Sequence, residues 1–237
     1  MPPTIVLVHG AFAESASWNR VAQRLHVAGH PVVAAANPLR GVAEDAVAIS
    51  DLIRTIDGPV VLVGHSYGGS VISNVAADAG DIIALVYVGA FAPEPGESCI
   101  ELSMRFPGST LGDALAPIPH EDGSADLVIA HDRFHEQFCA DLSAAEAALM
   151  AATQRPVAQA ALEEQAGPDP LWRRAPTYFV IGTEDRNIPA ALQRSLAERA
   201  NAQRTVEIPG ASHAVAVSHP DETADLVLEA ARVRAAA

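Results

Sequence analysis

The sequence has little of several features that would place it in other classes of protein. Only two cysteines, Cys99 and Cys139, occur in 237 residues, and they form no C-x-x-C pair. They are too few for a disulfide framework or a thiolate metal cage, and we interpret both as ordinary thiols. No apolar run approaches the ~20 residues of a membrane-spanning helix. No basic leader precedes the apolar residues 5–8, so we expect a cytoplasmic protein with no membrane partner.

Basic residues are also scarce. Lys and Arg together number 15 against 29 Asp and Glu, which gives a formal net charge of -14. This charge repels a polyanion, so we expect no nucleic-acid partner. Hydrophobic residues make up 49% and charged residues 19% of the chain, as in a globular protein with a real core. The length fits one large domain or one domain with an insertion.

Short apolar runs alternate with helical patterns near both ends of the chain. Continuous apolar runs are typical of strands that helices cover on both faces, and they lie at 4–8, 31–36, 59–63 and 82–89; two further strands are predicted at 177–181 and 204–208. Apolar residues at helical spacing predict intervening and final helices near 18–25, 42–56, 67–79, 189–201 and 220–234. The alternation predicts an α/β fold with a mostly parallel sheet flanked by helices.

The alternation breaks in the middle of the chain, where nine of the 17 prolines lie. A capping box of Ser143 and Glu146 predicts a helix over 145–153. Pro156 suits the first position of another helix, which Gly167 would end. We therefore predict a core interrupted by an inserted, mainly helical cap, with the core at 1–93 and 175–237 and the cap at 94–174.

A Gly-x-Ser-x-Gly motif carries the strongest chemical signal. Residues 64–68 read Gly-His-Ser-Tyr-Gly, directly after the third strand and at the start of a helix. Small residues on both sides permit a sharp turn that exposes the hydroxyl of Ser66 at the carboxyl edge of the sheet. Such a hydroxyl needs an adjacent base to act as a nucleophile. We predict that Ser66 is the nucleophile; the alternative is a helix N-cap in a glycine-rich turn.

The turn at 9–12, which ends the first strand, lies at the same edge of a parallel sheet. The backbone amides of Ala11 and Tyr67 could therefore donate to a developing oxyanion. Any residue type supplies such an amide, so this prediction depends on position alone. A plain loop is the alternative at Ala11.

Two further strand ends supply an acid and a base. Asp185 follows the strand at 177–181 and is our candidate for the acid that orients an imidazole, with Glu184 and Glu94 as competitors. His213 follows the strand at 204–208, and its imidazole could shuttle a proton near neutral pH. The order serine, acid, histidine is the order in which hydrolases with this serine turn present their triad.

Other histidines suggest no second site. His9 and His65 lie inside the two turns, and we interpret them as structural. His131 and His135 share one helix face and Glu136 is next to them, but they lack the H-E-x-x-H order and a convincing third ligand. There is no Walker motif and no G-x-G-x-x-G loop. We therefore expect no metal and no cofactor.

The sequence resembles the α/β-hydrolase superfamily, in particular the branch of plant methylesterases, hydroxynitrile lyases and bacterial carboxylesterases. The resemblance rests on the motifs at 5–11, 63–69, 182–189 and 210–213 and extends over the whole core. It implies the α/β-hydrolase fold with a cap over the acyl pocket. It also implies the functional residues already singled out: the triad Ser66, Asp185 and His213, and the oxyanion donors Ala11 and Tyr67.

The hydroxynitrile lyases of this branch carry a threonine after the first-strand histidine and a lysine after the catalytic histidine. Here those positions hold Gly10 and Ala214, which favours ester hydrolysis. We expect a carboxylesterase-type serine hydrolase (EC 3.1.1.-) that cleaves a small to medium lipophilic ester or lactone through an acyl-enzyme. The protein is expected to be a monomer or a homodimer. The alternatives are a small-molecule receptor with the same pocket, lyase-like C–C cleavage and peroxyacid formation.

Overall fold

The computed structural model describes residues 1–233. The last position of the helix predicted at 220–234 lies outside the described residues. The strands run in chain order as β1 (Thr4–Val8), β2 (Val32–Ala35), β3 (Pro59–His65), β4 (Asp81–Val88), β5 (Leu115–Pro119), β6 (Ala125–Ile129), β7 (Val157–Ala158), β8 (Thr177–Gly182) and β9 (Arg204–Ile208). The α-helices are α1 (Asn19–Val27), α2 (Val42–Ile53), α3 (Tyr67–Ser73), α4 (Cys99–Ser103), α5 (His131–Phe138), α6 (Ala144–Thr153), α7 (Gln159–Glu163), α8 (Ala190–Arg199), α9 (Val215–Ser218) and α10 (Pro220–Ala230).

Six strands form the central sheet, in the order β2-β1-β3-β4-β8-β9. Every neighbouring pair is parallel. The predicted parallel sheet is therefore confirmed, with strands from both ends of the chain. Its carboxyl ends share one edge, where the turns that follow β1, β3, β8 and β9 meet.

Helices cover both faces of the sheet. Neighbouring residues of each strand point to opposite faces, so both sets of side chains pack against helices. One apolar cluster joins Ile5 and Leu7 of β1 to residues of α1 and α10. Another joins Val6 and Val8 to residues of α2, α3 and α8. Both faces of β1 are therefore buried, which is why its sequence is continuously apolar rather than alternating. Among residues 1–233, no helix is both long and apolar enough to span a membrane.

Three predicted helices end earlier than expected, and the first of them, α2, ends at Ile53 rather than near residue 56. Helix α3 ends at Ser73 rather than near residue 79. The side-chain amide of Asn74 donates to the carbonyl of Ser70 at 2.8 Å, and its oxygen accepts the amide of Gly167 at 2.7 Å. These contacts satisfy polar groups where the helix stops. Helix α10 ends at Ala230.

The segment between β4 and β8 contains more secondary structure than predicted. It contains helices α4 to α7, and α6 begins at the predicted capping box of Ser143 and Glu146. It also contains a three-stranded antiparallel sheet, in the order β5-β6-β7, which the sequence analysis missed. The segment is thus helical with a small sheet beside the helices.

The helix predicted from Pro156 is present as α7, but it begins later than predicted, at Gln159. Residues 157–158 instead form β7, which pairs with β6. The amide of Ala158 donates to the carbonyl of Leu39 at 3.0 Å, and the Arg40 guanidinium donates to the carbonyl of Pro156 at 3.3 Å. Partners distant in sequence satisfy these backbone groups, so the local preference for a helix does not decide the structure of residues 157–158.

Candidate active site

Ser66 stands in a strained turn between β3 and α3. Its φ of 55° and ψ of -123° lie in a region that non-glycine residues seldom adopt. A Cβ added to Gly64 would lie 2.6 Å from the carbonyl oxygen of Gly68, and one added to Gly68 would lie 2.5 Å from that of Val8. The turn therefore requires glycine on both sides of the serine, as the motif predicts.

His213 and Asp185 form a buried pair. Nδ1 of His213 lies 2.8 Å from Oδ2 of Asp185, and neither side chain is exposed. A carboxylate can only accept a hydrogen bond, so the imidazole donates from Nδ1. In the neutral ring, Nε2 is then left with a free lone pair.

The carboxylate of Asp185 is held by three further donors. Oδ1 accepts the backbone amides of Asn187 and Ile188, each at 2.8 Å. Oδ2 accepts the side-chain amide of Gln193 at 2.9 Å. These bonds fix the position of the carboxylate, as is required of an acid that orients an imidazole.

The backbone brings the serine turn to the same place. The amide of Ser66 donates to the carbonyl of Val88 at 3.3 Å. A Cβ added to the next residue, Gly89, would lie 3.8 Å from Nδ1 of His213 and 3.6 Å from Oδ2 of Asp185. The three predicted residues therefore meet at one edge of the sheet.

The serine and the imidazole are not directly bonded. Within residues 1–233, the Ser66 hydroxyl makes no hydrogen bond to His213, and Nε2 of His213 is buried without a partner. Catalytic hydrogen bonds are often long in the free enzyme and tighten when substrate binds. Nε2 is the nitrogen that would take a proton from Ser66.

The histidines interpreted as structural hold the two turns. Nε2 of His65 hydrogen-bonds the carbonyl of His213 at 3.0 Å. Nε2 of His9 accepts the amide of Asn37 at 3.2 Å, and its Nδ1 donates to the carbonyl of Gly10 at 2.9 Å. Burial is the main cause that lowers the pKa of His65 to about 3 and the pKa of His9 to about 4. Both rings are therefore neutral near neutral pH.

The residues of the predicted oxyanion donors, Ala11 and Tyr67, line the same cavity as Ser66. In the described part of the chain, the amides of Ala11 and Tyr67 donate to no other protein group. A Cβ added to Gly10 would lie 2.6 Å from Cβ of Ser66, so glycine lets the first turn approach the serine. The Tyr67 hydroxyl donates to Oδ2 of buried Asp45 at 2.8 Å. Burial raises the pKa of Tyr67 and the pKa of Asp45.

Ser66 opens into a cavity of about 580 Å³. Phe12, Ser66 and Tyr67 line it, and the segment at 94–174 supplies most of the remaining lining. Most lining side chains are apolar. The polar ones include Thr110, Asn187 and two carboxylates, Asp113 and Glu163.

The other residues considered for the acid or for a metal site lie in different environments. Glu184 is exposed, although it is next to Asp185, and Glu94 pairs with Arg173. His135 hydrogen-bonds the carbonyl of Leu142 at 2.9 Å. Within residues 1–233, no group of three His, Cys, Asp or Glu side chains is arranged to hold a metal.

Both cysteines are free and buried. Burial raises the pKa of Cys99 to about 12, and it is also the main cause that raises the pKa of Cys139 to about 12. Both thiols therefore stay protonated at neutral pH.

Sequence reasoning missed two glutamines near Asp185. Gln193 lies on α8 and donates to the Asp185 carboxylate, and Gln137 lies on α5 and donates to the side chain of Asn187 at 2.7 Å. Both glutamines are buried on helix faces that are otherwise apolar. A polar residue at a core spacing was the available signal, because a buried polar group requires a partner.

The comparisons with known proteins assign the family. A model described as the alpha/beta hydrolase family matches residues 5–226. This match covers most of the chain, and the chain belongs to the alpha/beta hydrolase family. The predicted resemblance is thereby confirmed at the level of the family.

Relatives come from the predicted branch. The carbendazim hydrolyzing esterase of Nocardioides sp. (strain SG-4G) is 39% identical over 112 residues, which cover 41% of this chain and 46% of that protein. The alpha-hydroxynitrile lyase of Arabidopsis thaliana is 27% identical over 93% of both chains. Methylesterases of the same plant match at 23% and 24% identity.

A solved structure has the same fold. The crystal structure of polyneuridine aldehyde esterase superimposes with a TM-score of 0.81 at 20% identity, covering 97% of this chain and 99% of that chain. Identity this low establishes the fold alone. The predicted α/β-hydrolase fold is confirmed.

Proposed function

We propose that this hydrolase, which is of the carboxylesterase type, cleaves a small to medium lipophilic carboxylic ester or lactone through an acyl-enzyme on Ser66. One observation carries the proposal: the buried pair of His213 and Asp185 lies at the same edge of the sheet as the strained turn of Ser66. Ser66 in turn opens into a largely apolar cavity. The esterase names among the relatives support ester hydrolysis in general.

The first half of the reaction transfers the acyl group to the enzyme. Nε2 of His213 takes the proton of the Ser66 hydroxyl as its oxygen attacks the ester carbonyl. The Asp185 carboxylate stabilises the imidazolium that results. The amides of Ala11 and Tyr67 hold the oxyanion of the tetrahedral intermediate, where the loss of one such donor typically costs ~10²–10³ in rate. His213 then protonates the departing alkoxide, and the acyl-enzyme remains.

The second half releases the acid. His213 takes a proton from water, which attacks the acyl carbonyl, and then returns that proton to the Ser66 oxygen as the bond to the acyl group breaks. His213 returns every proton that it takes, so the proposed reaction requires no cofactor. In a lactone the alcohol and the acyl group belong to one molecule, and the same steps open the ring.

The cavity supports the choice of substrate class. Its volume of about 580 Å³ lies in the range of small-molecule pockets. We propose that the segment at 94–174 acts as a cap over it, because that segment supplies most of the apolar lining. An apolar wall favours a lipophilic acyl or alcohol group by burying its surface.

The geometry at Gly10 disfavours the lyase alternative. The relatives include a hydroxynitrile lyase, and the resemblance implies a threonine at position 10 in such enzymes. Here a Cβ at that position would lie 2.6 Å from Cβ of Ser66, so this turn has no room for a threonine without a shift. Ala214, where those enzymes have lysine, supplies no cation.

Stopped-flow hydrolysis of p-nitrophenyl butyrate tests the proposal against the receptor and lyase alternatives. The wild-type protein should release a burst of p-nitrophenol and then turn over steadily, whereas Ser66→Ala should do neither. Turnover that is the same in both proteins would refute the nucleophile. A ligand bound equally tightly by both, without product over hours, would favour the receptor. Cyanide release from mandelonitrile without ester turnover would favour the lyase.

A further inference from the structure

The last turn of α5 contacts the loops of both the acid and the base. The carbonyl of Phe138 accepts the amide of Ala214 at 3.0 Å. The Phe138 ring packs edge-on against the His213 ring, with centroids 4.9 Å apart and an interplanar angle of 82°. The preceding residue, Gln137, contacts the loop of Asp185. Two consecutive residues of the inserted segment thus touch the surroundings of both members of the pair.

Both the amide nitrogen and the amide oxygen of the Gln137 side chain form hydrogen bonds. It is 5% exposed, and its Nε2 donates to the carbonyl of Arg186 at 2.9 Å and to Oδ1 of Asn187 at 2.7 Å. Its Oε1 accepts the hydroxyl of Thr110 at 2.8 Å. A buried amide costs free energy unless its polar atoms are paired, and here both ends are. These bonds therefore specify where the loop of Arg186 and Asn187 lies against α5.

One hydrogen bond separates this contact from the acid. The backbone amide of Asn187 donates to Oδ1 of Asp185 at 2.8 Å. Oδ2 of the same carboxylate accepts Nδ1 of His213. A displacement of Asn187 would therefore rotate the carboxylate, and with it the imidazole.

We propose that Gln137 is a positioning residue, which acts on the reaction by fixing Asp185 through Asn187. The inference rests on the proposed function, since Asp185 must orient His213 for its position to matter. Gln137 itself does not line the cavity, but its partners Thr110 and Asn187 do. Its loss should therefore lower kcat through Asp185, and any change in KM should come from the displacement of those two partners. A misplacement of about 1 Å in a catalytic group can cost ~10² in rate.

The test is a double-mutant cycle with Gln137→Met and Asp185→Asn, measured with p-nitrophenyl butyrate. Methionine keeps the length of the side chain and removes its hydrogen bonds. We expect Gln137→Met to lower kcat by ~10–10²-fold in the wild-type background and to have no further effect when Asp185 is already asparagine. Thermal unfolding of each variant confirms that it is folded at the assay temperature.

Gln154→Met is the matched control. Gln154 also belongs to the inserted segment, and its side chain pairs with the backbone of Ile129 through two hydrogen bonds of 2.9 Å. It has no bond to the loop of Asp185, so kcat should stay at the wild-type value. If Gln137→Met does not fold, Gln137→Glu keeps the acceptor for Thr110 and sets an oxygen against Asn187 Oδ1. It carries the same prediction for kcat and for the cycle.

Three results would overturn the proposal: an unchanged kcat, an equal loss in both backgrounds, or an equal loss in Gln154→Met. Each would mean that Gln137 does not act through Asp185. A failure of the proposed function looks different, because Ser66→Ala would then retain the wild-type rate. Activity that depends on Ser66 but not on Gln137 would refute this inference alone.

Discussion

Nδ1 of His213 donates to Oδ2 of Asp185 across 2.8 Å in a place that solvent does not reach. An asparagine at position 185 can present its NH₂ group to Nδ1, which would then turn the ring proton toward Nε2 and block the base. We expect Asp185→Asn to lower kcat by ~10³–10⁴-fold. Glu184→Gln, which changes the exposed neighbouring carboxylate, should leave kcat unchanged. Ester-hydrolysis rates of both variants check this, and equal losses would mean that Asp185 is not the specific partner of His213.

Gly10 and Ser66 are too close for a side chain between them. A Cβ at Gly10 would lie 2.6 Å from Cβ of Ser66 and 3.2 Å from its Oγ. Gly10→Ala should therefore displace the hydroxyl or the amide of Ala11 and lower kcat by ~10²-fold. Gly41→Ala is the control, because the one close approach of a Cβ there is to the end of the Glu164 side chain, which can move away. Wild-type kcat in Gly10→Ala would show that the turn relaxes freely.

Acid should destabilise the protein through its buried histidines. Burial lowers the pKa of His9 from 6.5 to about 4 and the pKa of His65 from 6.5 to about 3 in the folded chain. Below pH 6.5 the unfolded chain takes up protons that the folded chain does not. The free energy of unfolding should therefore fall with pH, by about 1.4 kcal/mol per unit for each histidine, until each folded pKa is reached.

Urea unfolding between pH 7.5 and 4.5 measures this slope. His9→Gln removes one of the two groups and should reduce the dependence on pH by about half over the range in which both act. Thermal scans at pH 7.5 establish that the variant is folded. A slope unchanged by the substitution would mean that His9 titrates in the folded state as it does in the unfolded chain.

Among the described residues, the lining of the cavity contains acidic side chains and no basic one. Asp113 and Glu163 line it, and no arginine does within the described residues; the whole chain contains no lysine. Esters with a quaternary ammonium group should have a kcat/KM several-fold above that of matched esters with a carboxylate, and salt should reduce the difference. The double substitution Asp113→Asn with Glu163→Gln should abolish it. A preference that persists in that variant would place its origin elsewhere.

The sheet and the candidate site could be predicted because both depend on local patterns. The strands β1, β3, β4 and β8 are largely apolar runs, and Ser66, Asp185 and His213 each lie in a turn that follows a predicted strand. In a parallel sheet the carboxyl ends of the strands lie together, so residues far apart in the chain are brought to one edge. The strict glycine requirement around Ser66 added a sterically specific signal.

The strands and site residues that could not be predicted from the sequence depend on partners distant in the chain. Strand β5 contains Pro117 and Pro119, which disfavour a strand assignment, yet it pairs with β6 over five residue pairs. Strand β7 has only two residues, too few for any period to appear. Gln137 and Gln193 were visible only as polar residues at core positions, and their partners lie on loops that the fold brings close.

The most direct test of the account is the site and rate of labelling by a fluorophosphonate, followed by intact-mass and peptide mass spectrometry. The reagent phosphonylates a serine whose proton is removed by a neighbouring base. We predict one adduct, on Ser66, in the wild-type protein, far slower labelling in His213→Ala, and none in Ser66→Ala. Labelling of Ser66→Ala at the wild-type rate, or an adduct that forms equally fast without His213, would contradict the account.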